Sequence, residues 1–445
     1  MTQQKHLKRL VRSRMAKTGE KYATARRMVL RTAPPTGDPA ARWHFPGSVA
    51  ATTALHVLLA HAGVRDPRTG EPFTEPMLFG LAGGIGIGVF SFVYEKENHA
   101  SLFVAGRHEW HDDLAYLRAV CERFGLTPVV RETSSAKPAE RHLREAAAAG
   151  PCVAWVDKAH LPHRGLPAEM SGGGYHVVTV YRVDDDTALI GDLTDEPISI
   201  PLADLARARA RIKKQKHRLL SATGPANAPD LPALVRAGLS ACVHRLRNPS
   251  MKAAARNFKL DALEVLADRM HGSRDKEAWE RVFTRGPNLW RALAGLHDYV
   301  EHYGTGGGLC RPLFADFLAG AGAALKDPRL TALASRYADL GRQWSDLADA
   351  ALPDDVPTCR AAKELLARKA ELLASDGPAA APDIRGVWSE LGELARRAAA
   401  EFPLSEAASA ALRADLQARV RALHAGESAS LAAVAEAAGG GGGLG

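Results

Sequence analysis

The chain has 445 residues, 46% hydrophobic and 24% charged, a size and balance that predict two or three domains with ample core. No window approaches the roughly 18 apolar residues of a membrane span, and no apolar signal region follows the basic N-terminus, so a cytoplasmic protein that engages no membrane is expected. Cys121, Cys152, Cys242, Cys310 and Cys359 stand apart without CxxC spacing, which suggests neither a disulfide framework nor a zinc site and marks most of them as small core residues.

The net charge of +8 is concentrated at the start: residues 1–31 hold ten Lys/Arg against Glu20 alone, a local +9. Leu7, Leu10, Val11 and Met15 follow helical spacing, Thr18-Gly19 breaks it, and 22–30 predicts a second short helix. Such an arm suits phosphates of nucleic acid or the acidic face of a carrier protein, or it packs on the body as a basic helix pair; no aromatic interleaving or DNA-reading motif favours nucleic acid further. Pro34-Pro35, Gly37 and Pro39 read as a linker to residue 42.

From Trp43 a globular domain is predicted. Gly47-Ser48 supplies a turn, and Ala54, Leu55, Leu58, Leu59 and Ala62 form the apolar stripe of a buried helix ended by Gly63. The stretch 79–90 is too glycine-rich for a plain strand and matches neither the dinucleotide nor the phosphate-loop pattern. Gly83, Gly84 and Gly86 therefore imply close backbone approach to a ligand or to another strand. A helix (110–124), a strand (127–131), a helix (139–149) and a buried strand (152–156) follow. His108/His111 and His160/His163 have a spacing that metal sites use, but no further ligands lie nearby, so no metal is expected.

Residues 172–193 read as a β-hairpin. A glycine turn delivers His176 to the head of a β-branched run, Asp184-Asp185-Asp186 reverses the chain, and the second run ends at Asp192. Antiparallel pairing lets the two side chains meet, and a carboxylate beside an imidazole fixes its tautomer and stabilises its charged form, which is two thirds of a nucleophilic triad. Lys158, Glu169 and Tyr175 precede or open the hairpin, where they can line an acceptor pocket. Beyond it, 198–201 extends the sheet and 202–220 predicts a helix carrying Arg207, Arg209, Arg211, Lys213, Lys214, Lys216 and Arg218, a second basic surface or a solvated face.

The C-terminal half shows a helical rhythm over 260–270, 276–284, 288–303, 311–326, 329–352, 357–375, 384–401 and 405–425, which predicts a bundle-like all-α domain. Gly304 to Gly308 lead into the helix at Arg311, either as a flexible connection or as a seat for an anion such as a phosphopantetheine phosphate. Residues 439–445 are low-complexity glycine.

A helix beginning near residue 50, a glycine-rich segment, and a His-headed strand beside an Asp-ended one occur in the order found in papain-like cysteine enzymes. More closely, residues 47–220 resemble the N-terminal domain of the butirosin-biosynthesis acyltransferase family, through Thr52-Thr53-Ala54-Leu55 with Gly63, Phe79-Gly80-Leu81 with its glycines, and Tyr175-His176-Val177-Val178 with Asp192. Residues from about 230 resemble its helical partner domain, most clearly at 304–308 and 311–318. The implied organisation is a basic arm and linker (1–42), an α/β (α+β) papain-like domain (43–225), an all-α domain (226–437) and a glycine tail (438–445). The resemblance implies acyl transfer in antibiotic or other secondary metabolism, from an acyl or peptide carrier thioester to an amine of a small-molecule or peptide acceptor, with no resident cofactor. A helix-head cysteine would take the acyl group, His176 would shuttle the proton, Asp192 would orient it, and the amides at Ala50 and Ala51 would hold the oxyanion. The family cysteine falls at Ala50, with Ala51 the fallback register, and alanine cannot attack a thioester. Ser48, Thr52 and Thr53 are the nearest hydroxyls. A cysteine-peptidase-like amidase and a binding module using the basic arm are the competing readings.

Overall fold

The structure, a computed structural model, describes residues 3–18, 25, 26, 29, 39–224, 229–249, 251–375 and 377–439. Its strands are β1 (Ile85–Tyr94), β2 (His99–Arg107), β3 (Thr127–Arg131), β4 (Cys152–Asp157), β5 (Tyr175–Val183), β6 (Thr187–Gly191), β7 (Ile198–Pro201) and β8 (Leu219–Thr223). Two compact units interleave along the chain: the first comprises 1–78, 113–231 and 368–389, the second 79–112, 232–367 and 390–445. Both units therefore run across the chain-order division at 225/226.

The first unit is mixed α/β. Its sheet has the order β3-β8-β4-β5-β6-β7, antiparallel throughout. On one face Ala154, Val156, Val178, Val180 and Ile190 pack with Leu143 and Ala146 of the helix Ala136–Ala149 and with Leu202, Leu205 and Ala208 of the helix Leu202–Arg211. Directly paired residues share a face, and Val156 pairs with His176, so the strand register assigns His176 to this side. The helix Ala50–His61 also packs on β5, through Val57 against Tyr181 and Leu189, residues of the opposite parity.

The helix expected over 202–220 stops at Arg211. Lys216 and His217 at φ 45 and 47 turn the chain, and Leu219 and Leu220 are buried in β8, which pairs with both β3 and β4. Two adjacent leucines in a basic run carry no alternation, so their central-strand position is invisible to pattern. The described part of the basic arm, the helix Gln3–Thr18 with Ala25, Arg26 and Val29, is anchored. Val11 and Ala25 are buried with Ala374, and Arg12 pairs with Glu371 at 2.5 Å. The rest of the expected 22–30 helix, most of the linker and residues 440–445 lie outside the described residues.

The second unit is largely helical, with one β-hairpin. The glycine-rich stretch is a helix end (Glu75–Leu81) followed by strand β1, which pairs with β2. The glycines of β1 are needed because other groups crowd its backbone: a Cβ on Gly88 would sit 2.4 Å from the Trp110 indole and one on Gly86 2.5 Å from the Arg107 carbonyl. Around the hairpin stand Leu231–Arg247, Ala262–Met270, Trp279–Val282, Pro287–Glu301, Arg311–Leu325, Pro328–Ala351 and much of Glu406–Gly439. Leu231–Arg247 has no counterpart among the predicted helices; its Gly238 lets the Gly80 carbonyl approach within 2.4 Å of where a Cβ would stand. Among the described residues no helix is long and apolar enough to cross a membrane.

Candidate functional site

The helix Ala50–His61 starts at a built corner. Val49 is its extended N-cap, and the amides of Ser48 and Val49 donate to Glu75 Oε1 at 2.7 and 2.9 Å, a buried carboxylate matched to the positive helix end. Ala50 is the first helical residue and half-buried, whereas Ala51 is buried. Thr52 shares a hydrogen bond of 2.9 Å with the Tyr116 hydroxyl, and Thr53 is buried beside Gly47 and Glu75, so both hydroxyls point into protein.

Two residues tie this corner to the end of the hairpin. The Arg26 guanidinium donates to the Gly47 carbonyl at 3.4 Å, to the Leu193 carbonyl at 3.3 Å and to Asp195 Oδ1 at 2.6 Å. His44 Nε2 donates to the Thr194 carbonyl at 2.9 Å, which leaves Nδ1 to accept from the Tyr181 hydroxyl, also at 2.9 Å. Burial pushes His44 down to about 4, so the ring is neutral, as this pairing requires. The approach to the helix head is thereby laced to residues 193–195, which directly follow Asp192.

Asp192 is the centre of a four-residue cluster. His176 Nε2 lies 2.5 Å from Asp192 Oδ1, His163 Nε2 lies 2.7 Å from Oδ2, and Arg164 reaches Oδ2 through Nε at 2.8 Å and Oδ1 through a terminal nitrogen. A ring nitrogen and a carboxylate oxygen this close share a proton, so His176 carries its hydrogen on Nε2, and Nδ1 keeps the lone pair. The Arg164 nitrogen 2.9 Å from His176 Nε2 is then a close approach of two donors held by one acceptor. Burial alone would raise the Asp192 carboxyl; the charges of Arg164 and His176 and the hydrogen bonds from both histidines outweigh it and hold it well below the usual carboxylate range. Burial lowers both imidazoles, with Asp192 pulling the other way. The site thus holds a fixed carboxylate beside an imidazole that burial biases toward its neutral form.

The structure brings His176 and Asp192 together. It places Ala50 at the head of a helix on the other parity of β5, joined to the pair through Leu193 to Asp195. Tyr175 is exposed, with Lys214 Nζ 4.5 Å from its ring centre; Lys158 flanks the glycine turn and Glu169 is exposed. The remaining predicted residues belong to the second unit. The space beside Gly83, Gly84 and Gly86 is taken by the His108 ring, the Phe314 ring and the Arg107 carbonyl, so protein makes the close approach there. Arg311, expected to meet an anion, is fully buried: its Nε donates to Glu427 Oε1 at 2.6 Å and its guanidinium stacks over Trp344. The anion it meets is a side chain of its own unit.

His160 and His163 diverge, one to Ser171 Oγ and the other to Asp192, and no group of three potential metal ligands occurs among the described residues. Burial pushes the thiols of Cys121, Cys152 and Cys242 up to about 12, which leaves them un-ionised at neutral pH. Arg164, His163, Glu75, Arg26 and His44 were not singled out for these roles by sequence; of the Asp192 cluster, only His176 and Asp192 were.

A buried histidine–carboxylate pair thus stands at the end of a hairpin, in a mixed α/β unit whose first core helix begins at alanine. Residues 50–193 match the family described as butirosin biosynthesis protein H, N-terminal, and residues 203–375 match a domain of unknown function, DUF4872. The similarity to butirosin biosynthesis protein H therefore lies in the first of these segments. No curated protein matches the chain.

Proposed function

We propose that the first unit is a papain-like acyltransferase centre, related to antibiotic biosynthesis, that handles an acyl thioester of a carrier protein and an amine acceptor. The observation that carries this reading is the buried His176–Asp192 pair, at a hairpin end whose next three residues are tied to the head of the helix Ala50–His61. With a thiol at position 50, His176 Nδ1 takes its proton and the thiolate attacks the thioester carbonyl. The intermediate collapses to an acyl-enzyme, and the departing carrier thiolate regains the proton. The acceptor amine then attacks, its proton passes to Nδ1, and the position-50 thiolate leaves and is reprotonated. Position 50 carries a methyl group here, and loss of a nucleophile lowers turnover by a factor on the order of 10⁴ to 10⁶. Ala50 thus favours a second reading in which the chain binds donor or acceptor without turning them over.

The test is Ala50→Cys with intact-mass detection of an acyl adduct after thioester treatment. An adduct that disappears in Ala50→Cys/His176→Ala supports the centre; a folded variant that takes no acyl group from any thioester refutes it. Discharge of the adduct by amine separates transfer from hydrolysis by water.

A further inference from the structure

The turn that delivers His176 is ringed by cations from three separate segments. The Arg211 guanidinium stands 3.0 Å from where a Cβ on Gly172 would be, and its Nε donates to Ser171 Oγ at 2.8 Å. Lys158 Cγ lies 3.0 Å from the Cβ position of Gly174, and the Lys158 amide donates to the Gly174 carbonyl at 2.9 Å. Lys214 Nζ sits over the exposed ring of Tyr175. Nothing lies within 4 Å of the Cβ position of Gly173, so the crest of the turn faces open space between these side chains. The buried Asp157 holds the turn from below, its Oδ1 2.4 Å from the Cβ position of Gly174 and its carboxylate accepting from the amides of Gly172 at 2.5 Å and Ala159 at 3.1 Å; Glu169 is the single acid between residues 158 and 176. Of the other cations in the 207–218 run, Arg207 pairs with Asp204, Arg209 donates to backbone carbonyls and Arg218 pairs with Glu132.

We infer that the glycine turn 172–174, with Lys158, Arg211 and Lys214, is a phosphate seat beside His176 that receives the phosphate of a phosphopantetheinyl thioester. A phosphate, monoanionic as the diester on a carrier protein and dianionic as free 4′-phosphopantetheine, suits a glycine turn flanked by two lysines and an arginine. The half-exposed Tyr175 ring next to the seat offers an apolar ledge to the pantetheine arm, and His176 follows it directly in the strand. The inference rests on the proposed acyl-transfer reading for its ligand, and it moves the anion site from Arg311 to an open surface of the first unit. Carrier proteins present this phosphate as a phosphodiester and coenzyme A presents it within a pyrophosphate, both on the same pantetheine arm.

The experiment has two arms on the full chain. In the first, Ala50→Cys is acylated by acetyl-pantetheine, acetyl-4′-phosphopantetheine, acetyl-coenzyme A and an acetylated carrier protein, with rates read by intact mass. The phosphate should raise the rate about tenfold over acetyl-pantetheine. Arg211→Gln/Lys214→Gln should bring that ratio to about one, and Arg211→Lys/Lys214→Arg should restore most of it. In the second, 4′-phosphopantetheine and pantetheine are titrated by calorimetry into the unmodified chain, where only the phosphorylated form should bind and the Gln pair should weaken it at least fivefold. Equal rates or equal binding with and without phosphate overturns the seat even if acylation occurs. Phosphate-selective binding without acylation upholds the seat and overturns the acyl-transfer reading. A preference for coenzyme A over 4′-phosphopantetheine that survives the Gln pair assigns recognition to the nucleotide end and also overturns it.

Discussion

Asp192→Asn is the most telling single change, because one buried carboxylate holds three basic side chains. In the native cluster Asp192 has no exposed side-chain surface and accepts from His163, from His176 and twice from Arg164, which is itself only 12% exposed. Asparagine keeps the shape but removes the charge and turns an oxygen into a donor, so the Arg164 cation stays buried without compensation and one of the two imidazoles faces an N–H. Breaking a buried pair from one side costs about 3–5 kcal/mol, and with a urea slope of about 2 kcal/mol/M the midpoint of the first unit should fall by roughly 1.5–2.5 M. Because the chain holds two compact units, a single melting curve would mix them; hydrogen exchange read on peptides from 175–192 isolates the right one. Arg164→Gln should be destabilising by a similar amount, and the double variant should recover about 1–3 kcal/mol relative to the sum. The imidazole of His176, deprived of the charge that raises it, should titrate lower still. A cost under about 1 kcal/mol, or strict additivity of the two changes, would refute the clamp.

Acidification should weaken the first unit well above the carboxylate range. His44 and His56 are lowered by burial from 6.5 to about 4, so between these values the unfolded chain binds more protons than the native one and stability rises with pH; from pH 7.5 to 5 each should cost about 2 kcal/mol, while Asp192, already far below its ordinary value, contributes nothing in that window. Unfolding measured at pH 7.5, 6 and 5 checks this, and a flat profile contradicts it. In the second unit, Gly84→Ala should destabilise by about 1–3 kcal/mol, because φ is +63 and the new methyl would stand 2.5 Å from the Phe314 ring; a neutral result by denaturant titration would mean the ring can move aside.

The hairpin 172–193 was legible because its signals are local: glycine turn, alternating run, three aspartates, second run. The meeting of His176 with Asp192 follows from that pairing. The helix at 50 was legible from its stripe and its Gly63 stop. What pattern could not supply is contact across distance. Arg164 and His163 arrive from a loop joining β4 to β5, and Glu75 caps a helix that starts 25 residues before it. Which side of the sheet His176 takes is set by its pairing with Val156, a register that no single strand declares. Gly83, Gly84 and Gly86 announced close approach without saying to what, and only packing identified the partners as rings and a carbonyl of the same unit.

The clamp around Asp192 also leans on a segment made late. Ala374 accepts from the Asp195 amide at 2.7 Å, Gly377 packs on Ile198, and Gly165, next to Arg164, lies against Ala381 and Ile384. At ribosomal rates of ~5–20 residues per second this brace appears on the order of ten seconds or more after the hairpin it supports. A nascent chain ending near residue 225 therefore presents its histidines and carboxylate on an unbraced edge, and a truncated product would be expected to seek the missing brace in trans from a separately supplied fragment.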